Sequence, residues 1–267
     1  MSLDLLRARV AFRDRSFADV LDLSLRFSTS HAALYARVSA VVLVVPCALT
    51  IAAAHALGWV WGWTVAILTG LAAEVPFTVL ASRLVFQEQV SARAVLADSL
   101  RDLPRLLWMR VVWLLAVGLT ASCLVGPALY VGGATLYVSE VMLLERAGLG
   151  AALKRSHRIA GSALGDAALG LMAAIGLPLL AMAVAEIGGR LVLREVLMFR
   201  PPAPFWEAGG SVLLVLGWFA VIPYATTARF FVYLNARTRA EGWDIQTRFA
   251  AIAARAERDA ADTEQAA

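Results

Sequence analysis

Glu74, Arg83, Glu140 and Arg229 are ionisable side chains inside or at the edge of long apolar runs in this 267-residue chain. A charge in hydrocarbon is costly unless it is paired, protonated or wetted, so these are the residues from which chemistry can be argued. Glu74 falls near the middle of its run, the costliest depth. Two roles are open to it: a proton- or solute-binding group in a midplane cavity, or a glutamate held between helices for structural reasons. Glu140 and Arg229 each lie about five residues from the cytoplasmic end of a predicted span, which at 1.5 Å per residue is the same depth. They are therefore expected to be able to pair, with Arg83 as a competing cation. Glu74 and Arg83 are nine positions apart, about 180° around a straight helix, so they do not pair readily with each other.

Other reactive constellations are missing from the pattern. His31, His55 and His157 lie on different segments, and none has a partner at metal-ligand spacing. Gly148-Leu149-Gly150 ahead of Lys154 lacks the ending of a phosphate loop. Cys47 and Cys123 both fall in apolar runs, where a thiol behaves as a small hydrophobe, so neither a disulfide nor a metal is expected. No catalytic, metal-binding or cofactor-binding residue is assigned, and the chain is expected not to be an enzyme. A lipid-acting enzyme would need His157, Asp166 and a further acid to converge.

A second set of residues comes from a phrase used three times. It reads Val20-Leu21-Asp22-Leu23-Ser24-Leu25-Arg26, Val95-Leu96-Ala97-Asp98-Ser99-Leu100-Arg101 and Ala152-Leu153-Lys154-Arg155-Ser156-His157-Arg158. Each copy precedes a long apolar run, the mark of an internal repeat. Ser24, Arg26, Ser99, Arg101, Ser156 and Arg158 are candidate contacts for lipid headgroups or a partner. Generic capping by serine and generic headgroup contact by arginine would produce the same pattern.

The elements that must position these groups follow from composition. Hydrophobic residues make up 60% of the chain and charged residues only 16%, against roughly half and a quarter in soluble domains. An all-α integral membrane protein is the reading, with the lipid bilayer as its first partner. The formal net charge of +4 is then read as loop arginine that sets membrane orientation, and not as a nucleic-acid surface. Six spans are predicted at about 34–57, 63–86, 106–126, 128–145, 163–187 and 210–234. They group into three modules of an interfacial helix plus a helical hairpin, at about 16–88, 89–146 and 149–240. A polar leader, 1–15, precedes them and an amphipathic tail, 241–267, follows; no signal peptide is expected.

Ser16 is placed to cap the first interfacial helix, with Asp19 three residues on. Phe17, Val20, Leu21, Ser24 and Leu25 would form its apolar face. Trp59, Trp61 and Trp63 mark the first outer turn, and Gly161-x-x-x-Gly165 offers a packing motif at the start of span five. Leu191, Val192, Val196, Leu197 and Phe199 suggest a short helix in the outer loop about 188–209, stopped by Pro201-Pro202. The first and second outer loops carry no lysine or arginine. The positive-inside rule accordingly places both termini in the cytoplasm.

The phrases Arg15-Ser16-Phe17-Ala18-Asp19-Val20-Leu21-Asp22, Leu153-Lys154-Arg155-Ser156-His157-Arg158-Ile159 and Tyr233-Leu234-Asn235-Ala236-Arg237-Thr238-Arg239-Ala240-Glu241-Gly242-Trp243-Asp244-Ile245 together carry a resemblance. The chain resembles, over nearly its whole length, bacterial multi-pass proteins related to the membrane domain of glycerophosphoryl diester phosphodiesterases and to YciC-type membrane proteins. The resemblance implies a fold and a bacterial inner-membrane location. It does not imply phosphodiesterase activity, which belongs to a separate barrel of about 250 residues. The leading expectation is a non-enzymatic inner-membrane protein that organises a membrane or cytoplasmic protein partner, or a lipid, at the cytoplasmic face. The alternative is a transporter or permease with Glu74 in a midplane cavity.

Overall fold

The computed structural model describes residues 15–87, 89–123, 125–162 and 164–241. Most of the expected leader, and all but the first residue of the expected amphipathic tail 241–267, lie outside the described residues. The described chain is helical and contains six helical segments long and apolar enough to cross a membrane: Ala32–Leu57, Trp59–Phe86, Ala92–Ser122, Gly126–Glu145, Leu164–Val196 and Val212–Ala240. It is an all-α, multi-pass membrane architecture, as hydrocarbon demands of a chain whose backbone must satisfy its own hydrogen bonds.

Helix α1, Phe17–Ser30, begins where Ser16 Oγ accepts the Asp19 amide at 3.2 Å and donates to the Asp19 carboxylate at 2.7 Å. Its buried face is Val20, Ser24 and Phe27; Leu25, expected on that face, is exposed. The first span is two helices, α2 (Ala32–Val42) and α3 (Val44–Leu57), with the break at Leu43, three residues before Pro46. Gly58, at φ +92°, then turns the chain straight into α4, Trp59–Phe86. Only glycine adopts that backbone readily, so the outer connection needs one residue where five were expected.

The third span departs from expectation. The arginine-rich connector and the span form one helix, α5, Ala92–Cys123, with Pro104 inside it. The second phrase copy is therefore the first turns of a membrane helix and not a separate interfacial element. The fourth span is interrupted: α6 runs Val125–Ala134 and α7 Val138–Glu145. Helix α8, Leu149–Ser162, carries the third phrase. Helix α9, Leu164–Leu191, continues into a π-helical turn at Val192–Val196, so the short outer helix expected at 188–209 is largely its extension. After a four-residue α10, Phe205–Ala208, helix α11 runs from Val212 to Glu241.

Helix α11 is the centre of the bundle and touches α1, α3, α4, α8 and α9. Val75, Phe77 and Leu80 of α4, Tyr137 and Val141 of the fourth span, and Phe230 and Tyr233 of α11 fill the core with almost no exposure. The outside is equally apolar: Val44, Val45, Leu179, Leu180 and Val184 are all more than half exposed. A solvated surface does not carry such a belt; lipid does. The Gly161/Gly165 motif is not where helices meet, because a Cβ at either would touch nothing within 4 Å. The close approach is at Gly217, where a Cβ would stand 2.6 Å from the Ala181 carbonyl oxygen and 2.8 Å from Met182 Cα. Here α9 and α11 pack backbone to backbone, the contact that small residues allow.

Candidate functional site

The intramembrane charges form one network. Arg229 of α11 lies between two acids: its Nε donates to Glu140 Oε1 of α7 at 2.7 Å, and its Nη1 is 2.8 Å from Glu74 Oε2 of α4. Arg110 of α5 reaches the same Glu74 oxygen at 2.9 Å and donates to the Leu71 carbonyl of α4 at 2.7 Å. Two positive and two negative charges from four helices therefore close on one another inside the bundle. Glu140 is fully buried and Arg110 is 4% exposed. Their individual desolvation penalties are large, and only the compensating partners make the arrangement tolerable.

The expected Glu140–Arg229 pair is present. The expected competition from Arg83 is not, since Arg83 turns away to ion-pair with Asp98 of α5, which half faces solvent. Glu74 shares Arg229 with a second acid, Glu140. The residue not singled out from the sequence is Arg110. It lies near the start of the run predicted to begin at 106, where an arginine reads as an interfacial anchor. Because α5 starts at Ala92, residue 110 is already in its nineteenth position, well inside the bundle.

Proline shapes the surroundings. Pro76 sits two residues beyond Glu74, Pro178 lies in α9 and Pro223 six residues before Arg229. Each removes an amide from its helix ladder. A crevice of about 50 Å³ lies alongside, lined by Glu74 and Arg229 at its polar end, by Thr226, and by apolar residues such as Ala174, Leu177 and Ile222. Thr226 Oγ1, Arg229 Nη2, Arg110 Nε and Glu140 Oε2 are buried with no hydrogen-bond partner among the described residues. Two of these groups, Thr226 and Arg229, line the crevice. A site needs roughly 10–15 Å³ and two to four polar neighbours to hold a water, so the crevice has both the room and the polar valence for hydration.

A second polar assembly gathers at the end of the bundle where both described termini lie. Glu145 of α7 accepts from Arg155 Nε of α8 at 2.8 Å, from the Tyr233 hydroxyl at 3.0 Å, and lies 3.3 Å from Arg237 Nη1. Asn235 exchanges two hydrogen bonds with the Arg15 backbone, both 3.2 Å, and Arg239 ion-pairs with Asp166 at 2.5 Å. The tail phrase thus ties α11 to the N-terminal segment, α7, α8 and α9.

The three phrases behave alike in space. Val20, Val95 and Ala152, and one turn later Ser24, Ser99 and Ser156, are all buried at 2% exposure or less. The serines are consequently not placed to meet headgroups or partners, which corrects that expectation; Arg26, Arg101 and Arg158 are exposed and remain available. Ser24 and Ser99 donate to carbonyls of their own helix, Leu21 and Val95. Ser156 does more: it donates to the Ala134 carbonyl at 2.9 Å and accepts from the Tyr137 amide at 3.3 Å. One hydroxyl bridges the two backbone groups freed at the break between α6 and α7.

His157 lies edge-on to Tyr130, 6.2 Å between ring centroids, while Asp166 is engaged with Arg239, so the two do not converge. Among the described residues, no three of His, Cys, Asp and Glu gather as a metal site. Comparisons with protein-family models, curated proteins and solved structures give no match.

Proposed function

We propose that this chain is a non-enzymatic carrier of the bacterial plasma membrane, with both termini cytoplasmic, that takes a small ionic solute at the Glu74–Arg229 end of the crevice. The observation that carries the reading is the shared guanidinium. Arg229 divides its donors between Glu74 and Glu140, and Glu74 divides its oxygen between Arg229 and Arg110. A solute carboxylate or ammonium can replace one member of such a network without leaving a bare charge in hydrocarbon. A purely structural role would be served as well or better by apolar packing, since buried ion groups of this kind are often replaceable by hydrophobic residues at no loss of stability. Pro76, Pro178 and Pro223 each remove an amide from a helix that lines the crevice, where α1 adds Leu21.

Solute-induced currents on protein reconstituted in liposomes test the reading, with amino acids and small organic acids and amines as the panel. Glu74→Gln abolishes the current while the amount of folded protein is kept. A current that persists, or a loss explained by less folded protein, argues against it.

A second reading is favoured by a different observation: Arg26, Arg101 and Arg158 are exposed at the end of the bundle that holds the termini. The three phrases would then be a repeat that presents cations to a lipid or protein partner at the cytoplasmic face. Their common buried frame of a small or β-branched residue followed by serine supports a repeat. Copurification from native membranes separates the readings, because replacing the three arginines by alanine releases the partner only in this second case.

A further inference from the structure

We infer that the loop after α9, at the end of the bundle opposite the termini, is a binding site for the phosphate of a membrane lipid. The connection at Gly58, between the first two spans, carries no lysine or arginine. Arg190 in the last turn of α9 and Arg194 and Arg200 in the loop that follows all line a single open cavity of about 840 Å³. The one acid in that lining is Glu207, so the cavity wall has a formal excess of two positive charges.

The arginines have different roles. Arg190 is fixed: its Nε donates to the buried Glu186 at 2.7 Å, its Nη2 donates to the Ala203 carbonyl at 2.8 Å, and its guanidinium lies 5.9 Å from the Trp206 ring centre. Glu186 is itself held by Ser211 at the start of α11. Arg190 therefore ties the returning loop to α9 and shapes the cavity. Arg194 and Arg200 are the ligand-facing cations. Among the described residues Arg194 pairs with its neighbour Glu195 at 3.2 Å, both side chains more than 60% exposed. Such a surface pair is weak and yields to a phosphate that accepts two guanidinium donors.

The backbone holds these two cations where a regular helix would not. Arg194 lies within the π-helical turn Val192–Val196, and Met198 adopts a left-handed φ of +54° just before Arg200. Both are uncommon conformations that cluster at functional sites. The setting selects a lipid over a soluble ester. Met198, Phe199 and Trp206 are 65–82% exposed around the arginines, and apolar and aromatic groups beside cations are the composition of a membrane interface. A phosphate presented there arrives already concentrated in two dimensions.

The test uses the full chain in neutral detergent doped with phosphatidylglycerol, with retained lipid read by native mass spectrometry. The wild-type protein retains the lipid, and R194Q/R200Q lowers retention at least tenfold. Replacing Arg37 and Arg93, exposed arginines away from this loop, by glutamine leaves this retained fraction unchanged. Equal retention in R194Q/R200Q, or a loss confined to the Arg37 and Arg93 variant, overturns the site. Displacement of the lipid by millimolar sn-glycerol 3-phosphate, with equal affinity for both, overturns the lipid assignment in favour of a soluble phosphate. Arg200→Gln alone, at an exposed position, serves if the double variant unfolds, and it is expected to weaken retention severalfold.

Discussion

Arg229 and Glu140 meet at 2.7 Å across 89 positions of sequence, and the contact joins the last membrane helix to a fully buried acid near the start of α7. Arg229 is the only cation that Glu140 touches among the described residues, whereas Glu74 has two. Removing Glu140 leaves Arg229 and Arg110 sharing the single carboxylate of Glu74, an excess positive charge inside the bundle. Glu140→Ala is expected to lower stability by about 3–5 kcal/mol, the usual effect of stranding one member of a buried pair. Unfolding in detergent measures it, and a double-mutant cycle with Arg229→Met should return much of that loss as coupling. A change below about 1 kcal/mol would mean the network contributes little to the fold.

The three phrase serines make a graded set. Ser156 joins Ala134 and Tyr137 across a helix break, so Ser156→Ala leaves a buried carbonyl and a buried amide without their partner. The expected loss is about 1–3 kcal/mol. Ser24→Ala and Ser99→Ala remove only bonds to carbonyls already within a helix, and each should change stability by less than about 1 kcal/mol. Thermal unfolding of the three variants in one detergent ranks them. Equal effects at all three positions would contradict the bridge.

Gly217 and Gly176 separate packing from propensity. Gly217→Val places atoms against the Ala181 carbonyl and Met182 backbone and should destabilise by about 1–3 kcal/mol through forced separation of α9 and α11. Gly176→Ala meets nothing within 4 Å and should be neutral or slightly stabilising. Both are read by the midpoint of thermal unfolding and by the yield of monodisperse protein.

The even number of spans sets a topological expectation. Reporter fusions at the two termini should give the same compartment, and a tag inserted near Ala203 the opposite one. An impermeant label reaching both a terminus and residue 203 from the same side would break the six-span scheme.

What could be read from the sequence has a simple physical basis. Hydrocarbon requires about 20 apolar residues per crossing, so six runs of that kind announce six helices. Glu140 and Arg229 were legible as partners because equal distance from a helix end means equal depth. Arg110 was not, since its depth depends on where α5 starts, and that start at Ala92 lies within a charged connector whose composition resembles an interface. Arg83 went to Asp98, a partner on the next helix that only the tight α4–α5 return brings near. The serines of the three phrases looked like surface ligands because serine is polar; burial against α11 and the fourth span turns them into internal hydrogen-bond donors. The loop arginines after α9 were visible, yet nothing in their spacing foretold a π-helical turn that gathers them around one cavity.

Access of water and solute to Glu74 is the claim on which the carrier reading rests. Ala225, which lines the crevice one turn before Arg229, can be replaced by cysteine in a chain whose Cys47 and Cys123 have been changed to alanine. A charged, water-soluble methanethiosulfonate should modify that cysteine in reconstituted protein, while a cysteine at the exposed, lipid-facing Val184 stays unmodified. Modification at 225 and not at 184 is the predicted result. An unreactive 225, in protein whose folding is intact, would make the four charges a closed structural knot and contradict the account.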